Sequence, residues 1–318
     1  MANKELNKKV SVEEIKEAFN LEQVCGDGDS LKRWVIAPDV NRPGLELAGE
    51  KIDTDLKRVV LIGNKEINYL KRIDVKIQKE RFDYITDRYT PCIIVTDGLK
   101  VPKSLIDVAK KKNFPVFESD TKTYQFTTEL VGFLSDKLAP SISVHGTMMN
   151  IYGKGVLILG KSGIGKSELA LDLINRGHML IADDLVELSR VNNYIKCSAP
   201  SNIKGMLEVR GLGIIDINRI FGGHSFLDNC GLDFIINLVS LDEYDSHNND
   251  RLNPTNLKEN YFDIFLNKLE IPMTVGKSMS IIVETAVTNF ILKQNGYDSN
   301  EEFKNRIKKQ IIKGGKKK

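Results

Sequence analysis

Val156-Leu-Ile-Leu-Gly160-Lys-Ser-Gly-Ile-Gly165-Lys166-Ser167 is the stretch on which the fold turns. From Gly160 it follows the pattern G-x-x-x-x-G-K-[ST], with Gly163 as an extra glycine inside the loop. The apolar run 156–159 reads as a buried strand, and Glu168-Leu-Ala-Leu-Asp-Leu-Ile-Asn175 continues as a helix. Strand, loop and helix stand in the order that a phosphate-binding loop needs. Its backbone N–H groups must turn inward around phosphate oxygens, and a Cβ would obstruct that path. The helix N-terminus adds positive potential. Gly160, Lys161, Ser162, Gly163, Ile164, Gly165, Lys166 and Ser167 are therefore the candidate cradle for ATP. Lys166 is expected across the β and γ phosphates, and the Ser167 hydroxyl on Mg²⁺. The bland alternative, a glycine-rich surface turn, lacks a reason for the flanking strand and helix.

Downstream, Met179-Leu-Ile-Ala182 leads into Asp183-Asp184, an apolar strand ending in two carboxylates as in a Walker B element. One carboxylate could serve Mg²⁺ and the other an incoming hydroxyl. Neighbours on a strand point to opposite sides, so the two do not share one task unless the strand has ended. A solvated turn is the competing reading. No Asn-Lys-x-Asp follows Asp184, and Gly63-Asn-Lys-Glu66 precedes the loop, so a guanine-specific switch is set aside.

The chain has 318 residues, room for two domains with a core each. Upstream, the apolar β-rich runs 59–62, 92–95 and 115–117 alternate with polar helical segments such as 104–112, the pattern of a layered α/β domain. Phe126, Leu130, Leu134 and Leu138 step by four along one helix face, and Ala139-Pro140-Ser141 then breaks the pattern. The expected division is residues 1–138, an N-terminal α/β domain, and 139–318, a C-terminal P-loop domain. The second half reads as β-rich around one clear helix. Residues 151–159, 194–198 and 234–241 are its strands, and a strand or helix start at 281 runs into a long helix.

Hydrophobic content of 41% and charged content of 28% exclude a disordered or collagenous chain. No apolar run approaches the ~18 residues that span a bilayer, and no apolar stretch follows the charged first ten residues, so a cytoplasmic location without a membrane partner is expected. Cys25, Cys92, Cys197 and Cys230 are too scattered for a zinc site or disulfide framework. The net charge is +3, with much of the excess in the lysine-rich tail 313–318, so no nucleic-acid partner is expected.

Five further segments resemble the HPr kinase/phosphorylase family and, with the loop, cover nearly the whole chain. They are Asn41-Arg-Pro-Gly-Leu-Glu-Leu-Ala-Gly49, in isolation a turn before a strand; Ser143-Val-His145-Gly146, about fifteen residues before the loop; Leu207-Glu208-Val-Arg210-Gly211-Leu-Gly213-Ile-Ile-Asp216, in isolation a glycine-bent strand; Asp250-Arg251-Leu252; and Pro272-Met-Thr-Val-Gly276-Lys277 with Ile281-Ile-Val-Glu284 after it. The resemblance implies a C-terminal domain akin to phosphoenolpyruvate carboxykinase. It also implies phosphorylation of a serine on the phosphocarrier HPr, reversal of that step by inorganic phosphate, and a homo-oligomer, a hexamer. By the same resemblance His145, Lys166, Asp184 and Arg251 are catalytic, with Asp184 the base, and Ser167 and Glu208 bind Mg²⁺. A small-molecule kinase on the same cradle, or an ATP-binding regulatory module without transfer, are the alternatives. Transfer of phosphate from ATP to HPr, to a metabolite, or to neither despite tight ATP binding distinguishes the three.

The segment 272–277 departs from the family's P-V-R-P-G-R pattern: Thr274 stands for an arginine, Val275 for a proline and Lys277 for an arginine. A guanidinium grips phosphate through paired hydrogen bonds, whereas an ammonium is a flexible point charge. The expected outcome is that Thr274→Arg with Lys277→Arg lowers the phosphate concentration for half-maximal dephosphorylation and leaves ATP-dependent phosphorylation nearly unchanged. Unchanged phosphate dependence would mean that a neighbouring cation already compensates.

Overall fold

A computed structural model describes residues 8–52, 57–247, 257–274 and 278–315, which form two compact units divided between Pro140 and Ser141. Arg251, Val275, Gly276 and Lys277 lie outside the described residues.

The first unit runs β1 (Val10–Ser11), α1 (Val12–Ala18), β2 (Glu22–Cys25), β3 (Trp34–Val35), β4 (Val40–Asn41), α2 (Gly44–Ala48) and β5 (Val59–Ile62), then α3 (Asn64–Leu70), α4 (Val75–Ile85), β6 (Ile93–Val95), α5 (Lys103–Lys112), β7 (Val116–Glu118) and α6 (Thr123–Lys137). Its sheet has the order β2-β7-β6-β5-β4, with β4 to β7 parallel and β2 antiparallel at the edge. Both faces of the parallel strands are buried, which is why 59–62 is apolar at every position. Val60, Ile62, Ile93 and Val95 pack with Phe82 of α4 and Leu105 of α5. Val59, Leu61, Ile94 and Phe117 pack with Ile15 of α1 and Phe126, Leu130 and Leu134 of α6. The segment 41–49 is not a plain turn, because residues 44–48 close into α2. Gly49 ends that helix at φ +115, and Arg42 reaches Glu66 of α3 through two bonds of 2.8 and 2.7 Å.

The second unit runs β8 (Ser141–His145), β9 (Thr147–Ile151), β10 (Lys154–Gly160), α7 (Lys166–Asn175), β11 (Met179–Ala182), β12 (Leu185–Val191), β13 (Tyr194–Ser198), β14 (Met206–Val209) and β15 (Gly213–Asp216). It continues with α8 (Ile217–Phe221), β16 (Asn229–Gly231), β17 (Phe234–Val239), α9 (Leu241–His247), β18 (Leu257–Tyr261), β19 (Ile264–Pro272), α10 (Met279–Gln294) and α11 (Ser299–Gly315). A mixed six-stranded sheet, β11-β9-β10-β17-β19-β18, stands between a helix layer and an antiparallel sheet β16-β13-β12-β8. The alternation of β10 divides its side chains between them. Val156 and Ile158 meet Leu169 and Leu173 of α7 and Val283 and Val287 of α10, and Leu157 meets Val186, Leu188 and Ile195 of the smaller sheet.

Three sequence expectations change here. The run 151–159 is two strands around a two-residue turn, Tyr152 and Gly153 at φ +52 and +79, a geometry that fits the twist of a hairpin. An aromatic in the turn hides it. The segment 207–216 is likewise a hairpin, β14–β15, rather than one bent strand. The second half carries five helices among the described residues, and residues 279–294 are helical from their start.

All four cysteines are free, and burial pushes the Cys92 thiol up to about 12, so it stays protonated and unreactive. No helix of the described residues is long and apolar enough to cross a membrane. The end of α7 is fastened to α10 through one carboxylate. Glu284, 8% exposed, accepts from Arg176 Nε at 2.9 Å and Nη2 at 2.7 Å, and lies 2.9 Å from His178 Nε2. The Arg176 hydrogen bonds hold the Glu284 carboxyl below its ordinary 4.5, against the opposing effect of burial, with His178 assisting. A depressed carboxyl contributes stability above its ordinary pKa and loses it as pH falls through the folded value. Glu284→Gln is therefore expected to cost on the order of 2 kcal/mol at neutral pH, less than a wholly buried pair because Arg176 is partly exposed. In urea titrations the gap between variant and parent should close as pH drops below 4.5, and a gap independent of pH would refute the account.

Candidate active site

The site is assembled where β10 ends and α7 begins. Gly160, Gly163 and Gly165 have φ of +151, +76 and +104, the left-handed region that side chains avoid, so the loop can curl with its amides inward. Gly165 is the N-cap of α7 and places Lys166 and Ser167 in the first turn. Lys166 Nζ folds back over the loop and donates to the carbonyls of Gly160 at 3.0 Å and Lys161 at 3.2 Å. Lys161 points away to Glu243 of α9 at 3.0 Å. Sequence reasoning did not single out Glu243, which carries no motif. Met273, after β19, comes within 3.2 Å of where a Cβ on Gly165 would lie, so the segment beginning at Pro272 borders the loop. Beside Met273, the Thr274 hydroxyl is buried without a hydrogen-bond partner.

The paired aspartates lie on a corner. β8 and β9 are joined by Gly146 alone, β11 and β12 by Asp183 and Asp184, and these two connections run side by side. β8 pairs with β12 in the smaller sheet, and β9 pairs with β11 in the larger. The register puts His145 opposite Leu185 and Met148 opposite Ala182, which leaves Gly146 and Thr147 facing Asp183 and Asp184. The Gly146 amide donates to the Asp184 carbonyl at 3.1 Å, and a Cβ on Gly146 would meet the Ile158 carbonyl at 2.9 Å, so only glycine fits there. Asp184 has φ +63, and the Leu185 amide donates to the Asp183 carbonyl at 2.8 Å, a γ-turn centred on Asp184.

That turn sends the two carboxylates apart. Asp183 is buried, 6% exposed, and accepts from Ser167 Oγ at 2.9 Å and from Thr147 Oγ1 at 2.6 Å. The Asp184 side chain is 79% exposed and lies 3.7 Å from Nδ1 of His145, which is 83% exposed. A hydroxyl and a carboxylate at the loop, both hard oxygen donors, are what Mg²⁺ takes while keeping several waters. An exposed carboxylate next to an imidazole is placed to exchange a proton with a group arriving from solution.

Glu208 is exposed on β14, alternating with Leu207 and Val209, which are buried against α7. No hydrogen bond among the described residues joins it to Ser167, whose partner is Asp183. No group of three or more His, Cys, Asp and Glu side chains among the described residues is placed to hold a metal ion by itself. The pairing of Thr147 with Asp183 escaped the sequence reading. The available signal was His145-Gly146-Thr147 immediately before a strand, with the glycine marking a crossing.

A family model of the HPr serine kinase C-terminal domain matches residues 136–307, and one of the HPr serine kinase N terminus matches residues 10–134. The HPr kinase/phosphorylase of Bacillus subtilis (strain 168) is 36% identical over 300 residues, 94% of this chain and 96% of its own. The HPr kinase/phosphorylase of Geobacillus sp. (strain WCH70) is 38% identical over 307 residues, 96% of this chain and 98% of its own. A solved structure, the Hpr(Ser) kinase/phosphatase from Coxiella burnetii, aligns with 51% of this chain and 97% of its own at 37% identity and a TM-score of 0.47.

Two loop glycines separate packing from backbone strain. A Cβ on Gly160 would stand 2.8 Å from the Leu238 carbonyl of β17, whereas one on Gly163 would meet nothing within 4 Å. Gly160→Ala should therefore part β10 from β17 and cost about 2 kcal/mol or more. Gly163→Ala, which strains only its own φ, should cost about 1 kcal/mol. Urea denaturation of both variants checks this, and equal losses would mean that the β17 contact is unimportant.

Proposed function

The chain belongs to the HPr kinase/phosphorylase family, and from that premise we propose that it transfers the ATP γ-phosphoryl group to a serine of HPr and removes it again with inorganic phosphate. The observation that carries the reading is the divergence of Asp183 and Asp184, one carboxylate on the loop serine and one exposed beside His145.

The loop amides and the α7 N-terminus hold the phosphates of ATP. Lys166, now resting on two loop carbonyls, swings to the β and γ phosphates, where its charge offsets theirs. Ser167 and Asp183 offer the oxygens for Mg²⁺, and Glu208 joins them from β14 on the strength of the family resemblance. Held by those oxygens, the ion would supply positive charge to offset the charge that develops on the phosphates. Asp184 accepts the serine proton as the hydroxyl oxygen bonds to the γ-phosphorus and the bond to the ADP oxygen breaks. In reverse, inorganic phosphate attacks the seryl phosphate, pyrophosphate forms, and the protonated Asp184 returns its proton to the departing serine oxygen. His145, 3.7 Å from Asp184, and Arg251, outside the described residues, steady the phosphates.

We further infer a homo-oligomer, a hexamer, and a cytoplasmic location. The family resemblance and the free thiols support these, together with exposed Leu212, Ile214 and Ile220 around β15 and α8, a surface suited to a neighbouring copy.

Incubation of the protein with HPr, ATP and Mg²⁺ should add one phosphoryl mass to HPr, and added phosphate should remove it with release of pyrophosphate. Lys166→Ala should lose transfer while staying folded. Asp184→Asn should keep Mg-ATP binding and lose both directions, by about 10³-fold, within the range for a general base. Unmodified HPr alongside tight ATP binding would replace this reading with a regulatory nucleotide-binding module.

A further inference from the structure

We propose that Thr147 is a positioning residue for phosphoryl transfer, whose hydroxyl holds Asp183 in the one orientation that keeps its second oxygen on Ser167. This rests on the preceding reading, in which Ser167 and Asp183 receive the metal of Mg-ATP.

Thr147 opens β9 and is wholly buried, at 0% exposure. It stands opposite Ile158 in the β9–β10 register, two residues before the first glycine of the phosphate loop. Its Oγ1 donates to Asp183 Oδ1 at 2.6 Å, shorter than the 2.9 Å bond from Ser167 Oγ to Oδ2. A bond of that length from a hydroxyl to a carboxylate belongs to the strong, charge-assisted kind. With one oxygen fixed, rotation of the carboxylate about its last torsion is stopped and the other oxygen stays aimed at the loop. Thr147 suits the task because a β-branched side chain on a strand has few rotamers. Thr123 of the other unit likewise donates to a distant carboxylate, Asp97 at 2.8 Å, but four helical threonines do something different. Thr127, Thr128, Thr285 and Thr288 each donate to the carbonyl four residues earlier in their own helix, the ordinary outlet for a hydroxyl without a task. Thr147 spends its donor on an aspartate 36 residues away.

Groups that orient metal-binding side chains set metal affinity without touching the metal, typically by 10–100-fold. Thr147→Val keeps the shape and removes the donor, and Thr147→Ser keeps the donor and removes a methyl. In the full-length protein, calorimetric titration with ATP in Mg²⁺ and again in EDTA gives the contribution of the metal to nucleotide binding. The Val variant should weaken Mg-ATP binding about tenfold and leave metal-free ATP binding within about twofold, and the Ser variant should restore the first. In a double-mutant cycle, Thr147→Val should add nothing on an Asp183→Asn background, because it acts through that carboxylate. Should the Val protein not fold, Thr147→Ala enters the same cycle with the same reading. Equal loss with and without Mg²⁺, failure of serine to rescue, or full additivity with Asp183→Asn would each overturn the proposal. Absence of any Mg²⁺ effect on ATP binding to the parent protein would instead overturn the reading of the loop itself, so the two failures are distinguishable.

Discussion

The bond from the Gly146 amide to the Asp184 carbonyl fixes the point at which two paired chains leave one sheet for another, and the site depends on it. β8–β9 and β11–β12 form one continuous ribbon, and bending it there sets its two ends in different layers. A flat ribbon would point Asp183 and Asp184 to opposite faces of a single sheet, one of them into the core. The bend instead places one carboxylate at the mouth of the phosphate loop and the other in solvent beside His145. It requires a residue without a Cβ on one chain and a left-handed residue on the other, and Gly146 and Asp184 supply them. Strain of this kind, of order 1–3 kcal/mol, survives where the surrounding packing over-determines it. Here Val186 and Leu188 on one side, and Leu180 and Met149 on the other, are buried in separate clusters.

The loop region was legible in the sequence because each of its demands is local. A glycine spacing, an apolar run before it and a helical run after it are all read within twenty residues. The four-residue step of Phe126, Leu130 and Leu134 was legible for the same reason, and those side chains are buried in α6. The hairpins at 147–160 and 206–216 were harder to see. Tyr152 occupies a turn position usually held by asparagine or glycine, and the alternation on either side reads straight through it. The partner of Asp183 was not legible at all. Thr147 is separated from it by the loop and all of α7, and only the crossing of two sheets brings them together.

Distant parts of the catalytic unit reach the loop through elements that fasten its two ends. At the start, Met273 packs by Gly165, so the chain leaving β19 borders the helix N-terminus. At the far end, Glu284 gathers Arg176 and His178, and Tyr152 lies edge-on to the His178 ring at 4.8 Å. α10 thus holds the tail of α7 while the strand before it meets the head. A helix gripped at both ends transmits a displacement of either end to the other, because packed interiors yield little. The segment whose arginines this chain lacks, 272–277, includes one of those grips, Met273, and precedes the other along the chain.

One site that runs a reaction in both directions must satisfy a stricter condition than a kinase alone. The group that takes the proton going forward has to give it back in reverse, so it must be stable in both charge states. A buried carboxylate that accepts from two hydroxyls, like Asp183, has both of its oxygens committed. An exposed one, with a histidine 3.7 Å away, is open to groups arriving from solution. The corner therefore separates two demands that adjacent residues could not otherwise meet. Asp183 is held fixed on the loop serine, and Asp184 is left open to solvent. The strained turn at Asp184 is what makes that separation possible within two consecutive positions.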